Sequence, residues 1–120
     1  AGVALDILEA VNSTTTKRIV VSIQNHDTLD FLRPDDVIEI SCDLSRDGLK
    51  PVTPVKVPTA QKNMIACVKE YERLAVAAIL QQDKSLAVRA LMAHPLIGSY
   101  SLAKTLVEAY LDDEQFAAWQ

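Results

Sequence analysis

Val37-Ile38-Glu39-Ile40-Ser41-Cys42-Asp43-Leu44-Ser45 alternates between apolar and polar side chains along its whole length. Ile38, Ile40, Cys42 and Leu44 fall on one face, and Glu39, Ser41 and Asp43 fall on the other. A period of two is the mark of a pleated strand, and one wet face points to an antiparallel sheet rather than a parallel one buried on both sides. Arg46-Asp47-Gly48 follows, with the Asp-Gly signal of a hairpin turn. Upstream, Arg18-Ile19-Val20-Val21-Ser22-Ile23-Gln24 is dense in β-branched residues, which fit a strand. Downstream, Leu49 to Val57 reads as extended but holds Pro51 and Pro54, with Pro58 just after. Proline cannot donate to a ladder, so this stretch is expected to be an edge strand or an irregular arm.

The periodicity changes from Thr59 onward. Met64, Val68, Tyr71, Ala75 and Ala78 step by four, three, four and three residues, and Ile65 and Ile79 widen the stripe. That spacing predicts a long amphipathic helix. Gln81-Gln82-Asp83 breaks it, and Asp83 or Ser85 is placed to cap a second helix that ends at His94-Pro95. Gly98-Ser99 opens a third helix, with Leu102, Leu106, Val107 and Tyr110 expected inward, and Asp112-Asp113-Glu114 starts a final turn bearing Phe116 and Trp119. At the other end, Val3, Ile7, Leu8 and Val11 share one face of a helix stopped by Asn12-Ser13-Thr14-Thr15-Thr16. It has no cap of its own, which is the pattern expected of a chain trimmed in mid-helix. The sum is one α+β domain over residues 1–120: a small, mainly antiparallel sheet with a C-terminal helical layer.

Composition excludes several functions. The net charge is −4, with acids and bases mixed, so no basic stripe is available to displace counterions from nucleic acid. The longest strongly apolar stretches, such as Leu74–Leu80, fall far short of the roughly 20 residues of a membrane span, and no basic amphipathic face suggests a membrane surface. Residues 1–12 lack the basic start and continuous apolar centre of a signal peptide. Cys42 and Cys67 read as two buried thiols of a reducing, cytoplasmic compartment rather than a disulfide or a metal pair.

The vocabulary of catalysis is thin. The three glycines, at positions 2, 48 and 98, cannot make the loops that cradle a pyrophosphate. Asp35-Asp36 and Asp112-Asp113-Glu114 are adjacent acids, which point apart and read as a solvated loop and a helix start. His26, between Asn25 and Asp27, is the most suggestive polar cluster: a site for a proton shuttle, a metal or a sugar hydroxyl, weighed against an exposed turn. His94 before Pro95 reads as a helix-end histidine, and Tyr71, Tyr100 and Tyr110 as packing residues.

The order of segments resembles the C-terminal half of the family-four glycoside hydrolases. Arg18-Ile19-Val20-Val21-Ser22-Ile23-Gln24-Asn25 is similar to that family's strand ending in asparagine. Pro34-Asp35-Asp36-Val37-Ile38-Glu39 resembles its proline-acid-acid-valine-valine-glutamate segment, and Asp47-Gly48-Leu49-Lys50-Pro51 its hairpin. Val68-Lys69-Glu70-Tyr71-Glu72-Arg73-Leu74, Asp83-Lys84-Ser85-Leu86-Ala87-Val88-Arg89-Ala90-Leu91, His94-Pro95-Leu96-Ile97 and Ala103-Lys104-Thr105-Leu106 continue the likeness through the helices. One departure stands out. Where the family has a glycine-containing loop after its asparagine, this chain has His26-Asp27-Thr28-Leu29-Asp30-Phe31-Leu32-Arg33-Pro34. A missing glycine changes which backbone conformations are cheap.

The resemblance implies a parent enzyme that hydrolyses phosphorylated disaccharides, a 6-phospho-β-glucosidase before an α-glucosidase or α-galacturonidase. Such enzymes are exceptions to the rule of two catalytic carboxylates. NAD oxidises the sugar at C3, a divalent metal, usually manganese (Mn2+), acidifies the proton at C2, and a tyrosine removes it before elimination. The resemblance places those nucleotide-binding, metal-binding and base residues upstream, in a Rossmann domain that this chain lacks, and assigns none of them here. No NAD and no metal are expected on the piece itself. Its expected part is a wall of the sugar site, with Asn25 and His26 as substrate-lining candidates, and an interface in a homodimer or homotetramer. The rival reading is a stand-alone helical interaction module without catalysis. If the resemblance holds, purified residues 1–120 should neither turn over a phospho-glycoside supplied with NAD and manganese nor bind NAD in a calorimeter; detectable turnover would defeat it.

Overall fold

The computed structural model describes residues 2–54 and 56–120. Helix α1 (Gly2–Asn12) leads into strands β1 (Lys17–Gln24), β2 (Val37–Ser45) and β3 (Gly48–Pro51). Helices α2 (Thr59–Gln81), α3 (Lys84–Ala93) and α4 (Tyr100–Tyr110) follow, then one 3-10 turn (Glu114–Phe116). The α+β class therefore holds. The chain divides into two compact units, residues 1–57 and 58–120.

In the first unit the three strands form one antiparallel sheet in the order β1-β2-β3. The β1–β2 register runs from Lys17 opposite Leu44 to Gln24 opposite Val37. Ile38, Cys42 and Leu44 are buried and Ile40 is half-buried, as the alternation requires. Arg46 and Asp47 are the two residues of the hairpin, and Gly48 pairs with Ser45 at a φ of 113°, left-handed territory that suits glycine. Strand β3 lies at the edge and ends at Pro51, so the missing N–H is tolerated there. Of the rest of the expected arm, Val52–Pro54 take no regular structure and Val55 lies outside the described residues.

Helix α1 packs on β1 and β2 through Ala10, fully buried against Ile19 and Leu44. Lys17 fixes it from the side, 3.0 Å from the Glu9 carboxylate and 3.6 Å from that of Asp6. The face carrying Val3, Ile7, Leu8 and Val11 looks outward; Leu8 is 60% exposed.

In the second unit α2 packs on α3, and α3 on α4. The centre of the α2 stripe is covered, with Ala78 buried and Val68, Tyr71 and Ala75 half-buried, while Met64 and Ile79 are exposed at its margin. The inward face of α4 agrees with the expectation at Val107, which is buried, and Leu106, which is half-buried, and differs at the other two positions. Ala103 is buried as well, whereas Leu102, one position from it and so off that face, is exposed, and Tyr110, in the last turn of the helix, is exposed too. Cys67 also departs from its reading: it is exposed on α2, and only Cys42 is a buried thiol, its pKa pushed up by burial and by the charge of Asp43.

The helix ends obey local chemistry. Gln82 takes φ 54° after α2; its amide donates to Ile79 and that of Asp83 to Ala78. These are the two reversed bonds of a Schellman motif, with Gln82 where glycine is the usual residue. Asp83 caps α3, accepting from the Leu86 amide at 3.0 Å. The His94 ring sits edge-on against Tyr71, centroids 4.8 Å apart, and its Nδ1 accepts from the Leu96 amide at 3.2 Å, a helix-end role. Gln120 closes the unit: its amide donates to Gln82, and its carbonyl accepts from Lys84.

Two tests address these ends. Gln82→Gly removes left-handed strain and should stabilise the chain by about 1 kcal/mol, read as a rise in thermal midpoint; a fall would refute the motif. Hydrogen bonds, first that of the Leu86 amide, hold the Asp83 carboxyl below its ordinary range. A carboxyl depressed in the folded state adds stability above its unfolded pKa and loses it as pH falls through the folded value. Hydrogen exchange at the Leu86 amide should therefore accelerate, relative to the α4 core, as pH drops below about 4.

Candidate functional site

The loop from Asn25 to Asp36 joins the two long strands, and Asn25 organises it. Its side chain is completely buried. The amide nitrogen donates to the carbonyls of Leu29 (3.0 Å) and Arg33 (3.1 Å), and the amide oxygen accepts from the Leu29 N–H at 2.8 Å. The Asn25 backbone is also engaged, its N–H donating to the Asp36 carbonyl at 2.7 Å and its carbonyl accepting from Thr28 at 2.8 Å. Both amide protons and the oxygen of one side chain thus hold three backbone groups of the loop, a task suited to asparagine, which both donates and accepts.

Asp36 is the second anchor. Sequence alone reads the adjacent acids Asp35 and Asp36 as solvated; Asp35 is exposed, but Asp36 is buried. Pro34 lies in a tight turn that brings the Asp36 N–H within 3.2 Å of the Arg33 carbonyl, and the Asp36 carboxylate accepts from the Arg33 amide at 2.9 Å. The Pro-Asp-Asp order is a turn signal, and Asn25 and Asp36 both bond the Arg33 backbone, Asn25 at its carbonyl and Asp36 at its amide.

His26 stands next to this hub with φ 50°, left-handed although it is not glycine. Its N–H donates to the Pro34 carbonyl at 2.8 Å, which pins that conformation, and its ring is exposed. His26, Asp27 and Thr28 form one wall of a shallow cleft of about 280 Å3, with Ile23, Leu49 and Pro51 contributing apolar surface. Polar groups facing an apolar wall suit a sugar ring, which offers hydroxyls at its edge and C–H groups on its face.

Of the two residues singled out from the sequence, His26 lines the cleft and Asn25 lies behind it. Among the described residues, no three His, Cys, Asp or Glu side chains gather where a metal ion could be held. Gly48, at the start of β3, and Gly98, just before α4, both take positive φ, 113° and 54°. No helix among the described residues is long and apolar enough to cross a membrane.

Comparison with known proteins places these features. A sequence model of the Family 4 glycosyl hydrolase C-terminal domain matches residues 2–97. The 6-phospho-β-glucosidase of Thermotoga maritima is 30% identical over 109 residues, 91% of this chain and 26% of that protein. A phospho-α-glucosidase of Clostridium acetobutylicum is 22% identical over 90% of this chain and 24% of its own length. Among solved structures, the T. maritima 6-phospho-β-glucosidase with manganese, NAD+ and glucose-6-phosphate superposes with a TM-score of 0.79 at 29% identity, over 94% of this chain and 28% of that one. A 6-phospho-α-glucosidase from gut microorganisms reaches 0.81 at 19% identity, over 92% of this chain and 26% of that one, a likeness of fold. The chain spans about a quarter of the length of these relatives.

The hub makes a prediction that separates the two candidates. Asn25→Ala takes the acceptor from the Leu29 N–H and one of two donors from each of the Leu29 and Arg33 carbonyls and should cost about 1–3 kcal/mol, whereas His26→Gly relieves a left-handed residue and should be neutral or stabilising by up to about 1 kcal/mol. Chemical denaturation of the two variants checks both signs.

Proposed function

This chain belongs to the Family 4 glycosyl hydrolase C-terminal domain family, and from that premise we propose that it forms the C-terminal part of a 6-phospho-glucosidase that works with NAD and manganese. The match over residues 2–97 carries the reading. The enzyme's substrate is a phosphorylated disaccharide, with β before α specificity, in keeping with the 30% identity to the T. maritima β-enzyme against 22% to the clostridial α-enzyme. We assign the whole of residues 1–120 to one C-terminal domain of that enzyme. Among the described residues no three His, Cys, Asp or Glu side chains gather around one point, and in this reading NAD and manganese are held by the rest of the enzyme.

What this chain contributes is shape. The Asn25 amide holds the loop at the end of β1 closed on itself, and His26, fixed in its left-handed conformation, presents its ring beside the cleft. His26 is the sugar-facing residue, with Asp27 and Thr28 beside it, and Asn25 is a positioning residue that acts through it. The apolar faces left outside, Leu5, Leu8 and Val11 on α1 and Val76, Ile79 and Leu80 on α2, supply the surface for an interdomain or homo-oligomer contact. Two free thiols suit the reducing cytoplasm.

A chimera in which this chain replaces the matching part of the T. maritima enzyme tests the reading. It should hydrolyse a 6-phospho-β-glucoside in the presence of NAD and manganese and prefer it to the α-anomer by about tenfold or more in kcat/KM, the scale of 1.4 kcal/mol in transition-state binding. His26→Ala in the chimera should raise KM more than it lowers kcat. A folded chimera without activity would refute the assignment, and a preference for the α-anomer would refute its β specificity.

A further inference from the structure

In the second unit, α3 and α4 leave between them an open groove of about 330 Å3. Lys84, Val88, Arg89 and Met92 share one side of α3, at spacings that bring i, i+4, i+5 and i+8 together. Lys104 and Val107 line the α4 side, with the exposed ring of Tyr100 at the start of that helix. The floor is apolar, made by Val88, Met92 and Val107. Lys84, Arg89 and Lys104, all exposed, add three cationic side chains to the lining.

The charge in this groove is poorly neutralised from within. On α2, Lys69 is paired with Glu72 and Arg73 with Glu70. Among the described residues, neither Lys84 nor Arg89 is in an ion pair. Lys104 meets Glu108 at 3.7 Å, but both side chains are more than half exposed, and such a pair is worth little in water. Asp83, at the start of α3, spends its carboxylate on Leu86 and Ser85, and its attraction to Arg89 is the weakest of its interactions. The lining thus offers three cations against one carboxylate, although the whole chain is acidic.

We infer that this groove binds a small amphiphilic anion. An apolar ring lies against Val88, Met92, Val107 and the face of Tyr100, and its single phosphate or carboxylate head is held by Lys84, Arg89 and Lys104. Each half of the site rejects a simpler ligand. The apolar floor gives a bare inorganic anion nothing to bury, and the cationic rim gives a neutral ring no partner. The volume lies at the small end of the range for ligand pockets, about 300–1,000 Å3, which suits one ring with one head group. All of its lining residues belong to the second unit, whereas the Asn25 loop belongs to the first.

Isothermal titration of the 120-residue chain with phenyl phosphate, benzoate, phenol and inorganic phosphate tests this. At least one aromatic anion should bind about tenfold more tightly than both phenol and inorganic phosphate, as one added charge-assisted contact or one buried ring provides. The comparison of phenyl phosphate with benzoate identifies the head group. Arg89→Gln with Lys104→Gln should weaken the aromatic anion by about tenfold or more and leave phenol unchanged, and both replacements are polar surface changes whose folding circular dichroism verifies. His26→Ala should have no effect. The inference falls if inorganic phosphate binds as tightly as phenyl phosphate, if the double variant binds the aromatic anion unchanged, or if no aromatic anion shifts the amide resonances of α3 and α4.

Discussion

An alanine lies at the buried point of every helix: Ala10 in α1, Ala78 in α2, Ala90 in α3 and Ala103 in α4, none more than 2% exposed. A methyl group lets a helix backbone approach its neighbour more closely than a leucine would, since interaxial distance follows the side chains at the contact. Close approach has a consequence for everything around it. Large side chains next to the contact point cannot fit between the elements and are turned to its flanks. Leu102, beside Ala103, is exposed in this way, while Leu80, 79% exposed, lies on the side of α2 opposite Ala78. An alanine removes little apolar surface from water, so the interior of each unit is modest, and in the first it centres on Ala10, Ile19 and Leu44. The proposed interdomain or oligomer contact would cover the larger apolar groups left outside.

The same constraint explains which parts of the fold could be read from the residues. The alternation of Val37–Ser45 was a complete guide to β2, because a strand's two faces are assigned by parity alone and Ile38, Cys42 and Leu44 had nowhere else to go. Asp83 as a cap and His94-Pro95 as a helix end were legible for a similar reason: both are short-range effects, settled within a few residues. The inward side of α4 was legible only in part: Val107 is buried as its spacing requires, but Leu102 and Tyr110 are not. Periodicity weights the bulkiest apolar residues, Leu102 and Tyr110, and passes over Ala103, whose value lies in what it permits and not in what it buries. The exposure of Cys67 follows from the packing direction of α2, which its apolar stripe left undetermined to within about one residue's rotation.

The candidate site was legible only in outline. Asn25-His26-Asp27 drew notice as a polar cluster, yet the chemistry that makes Asn25 important is a set of contacts reaching four and eight residues onward, to Leu29 and Arg33. No local signal reports such closure. Asp36 shows the same limit, since it bonds the Arg33 amide while Asn25 bonds the Arg33 carbonyl.

The departure from the family's glycine-containing loop takes on a different meaning once the backbone is known. A loop that loses its glycine is expected to find another path, because a left-handed residue with a side chain costs about 1–2 kcal/mol. Here the left-handed conformation is present at His26 all the same, at φ 50°. The bond from the His26 N–H to the Pro34 carbonyl and the neighbouring Asn25 hub over-determine the loop, so the strain at one residue is outweighed by the hydrogen bonds that relieving it would break. Strain tolerated in this way is a reason to look for a use, since a glycine at the same position would hold the same path at lower cost. What the histidine adds is an exposed ring at the edge of the cleft. A strained residue whose side chain contributes nothing to the loop's own closure but places a hydrogen-bonding ring beside an apolar wall is the strongest local argument for contact with sugar at this end of the sheet.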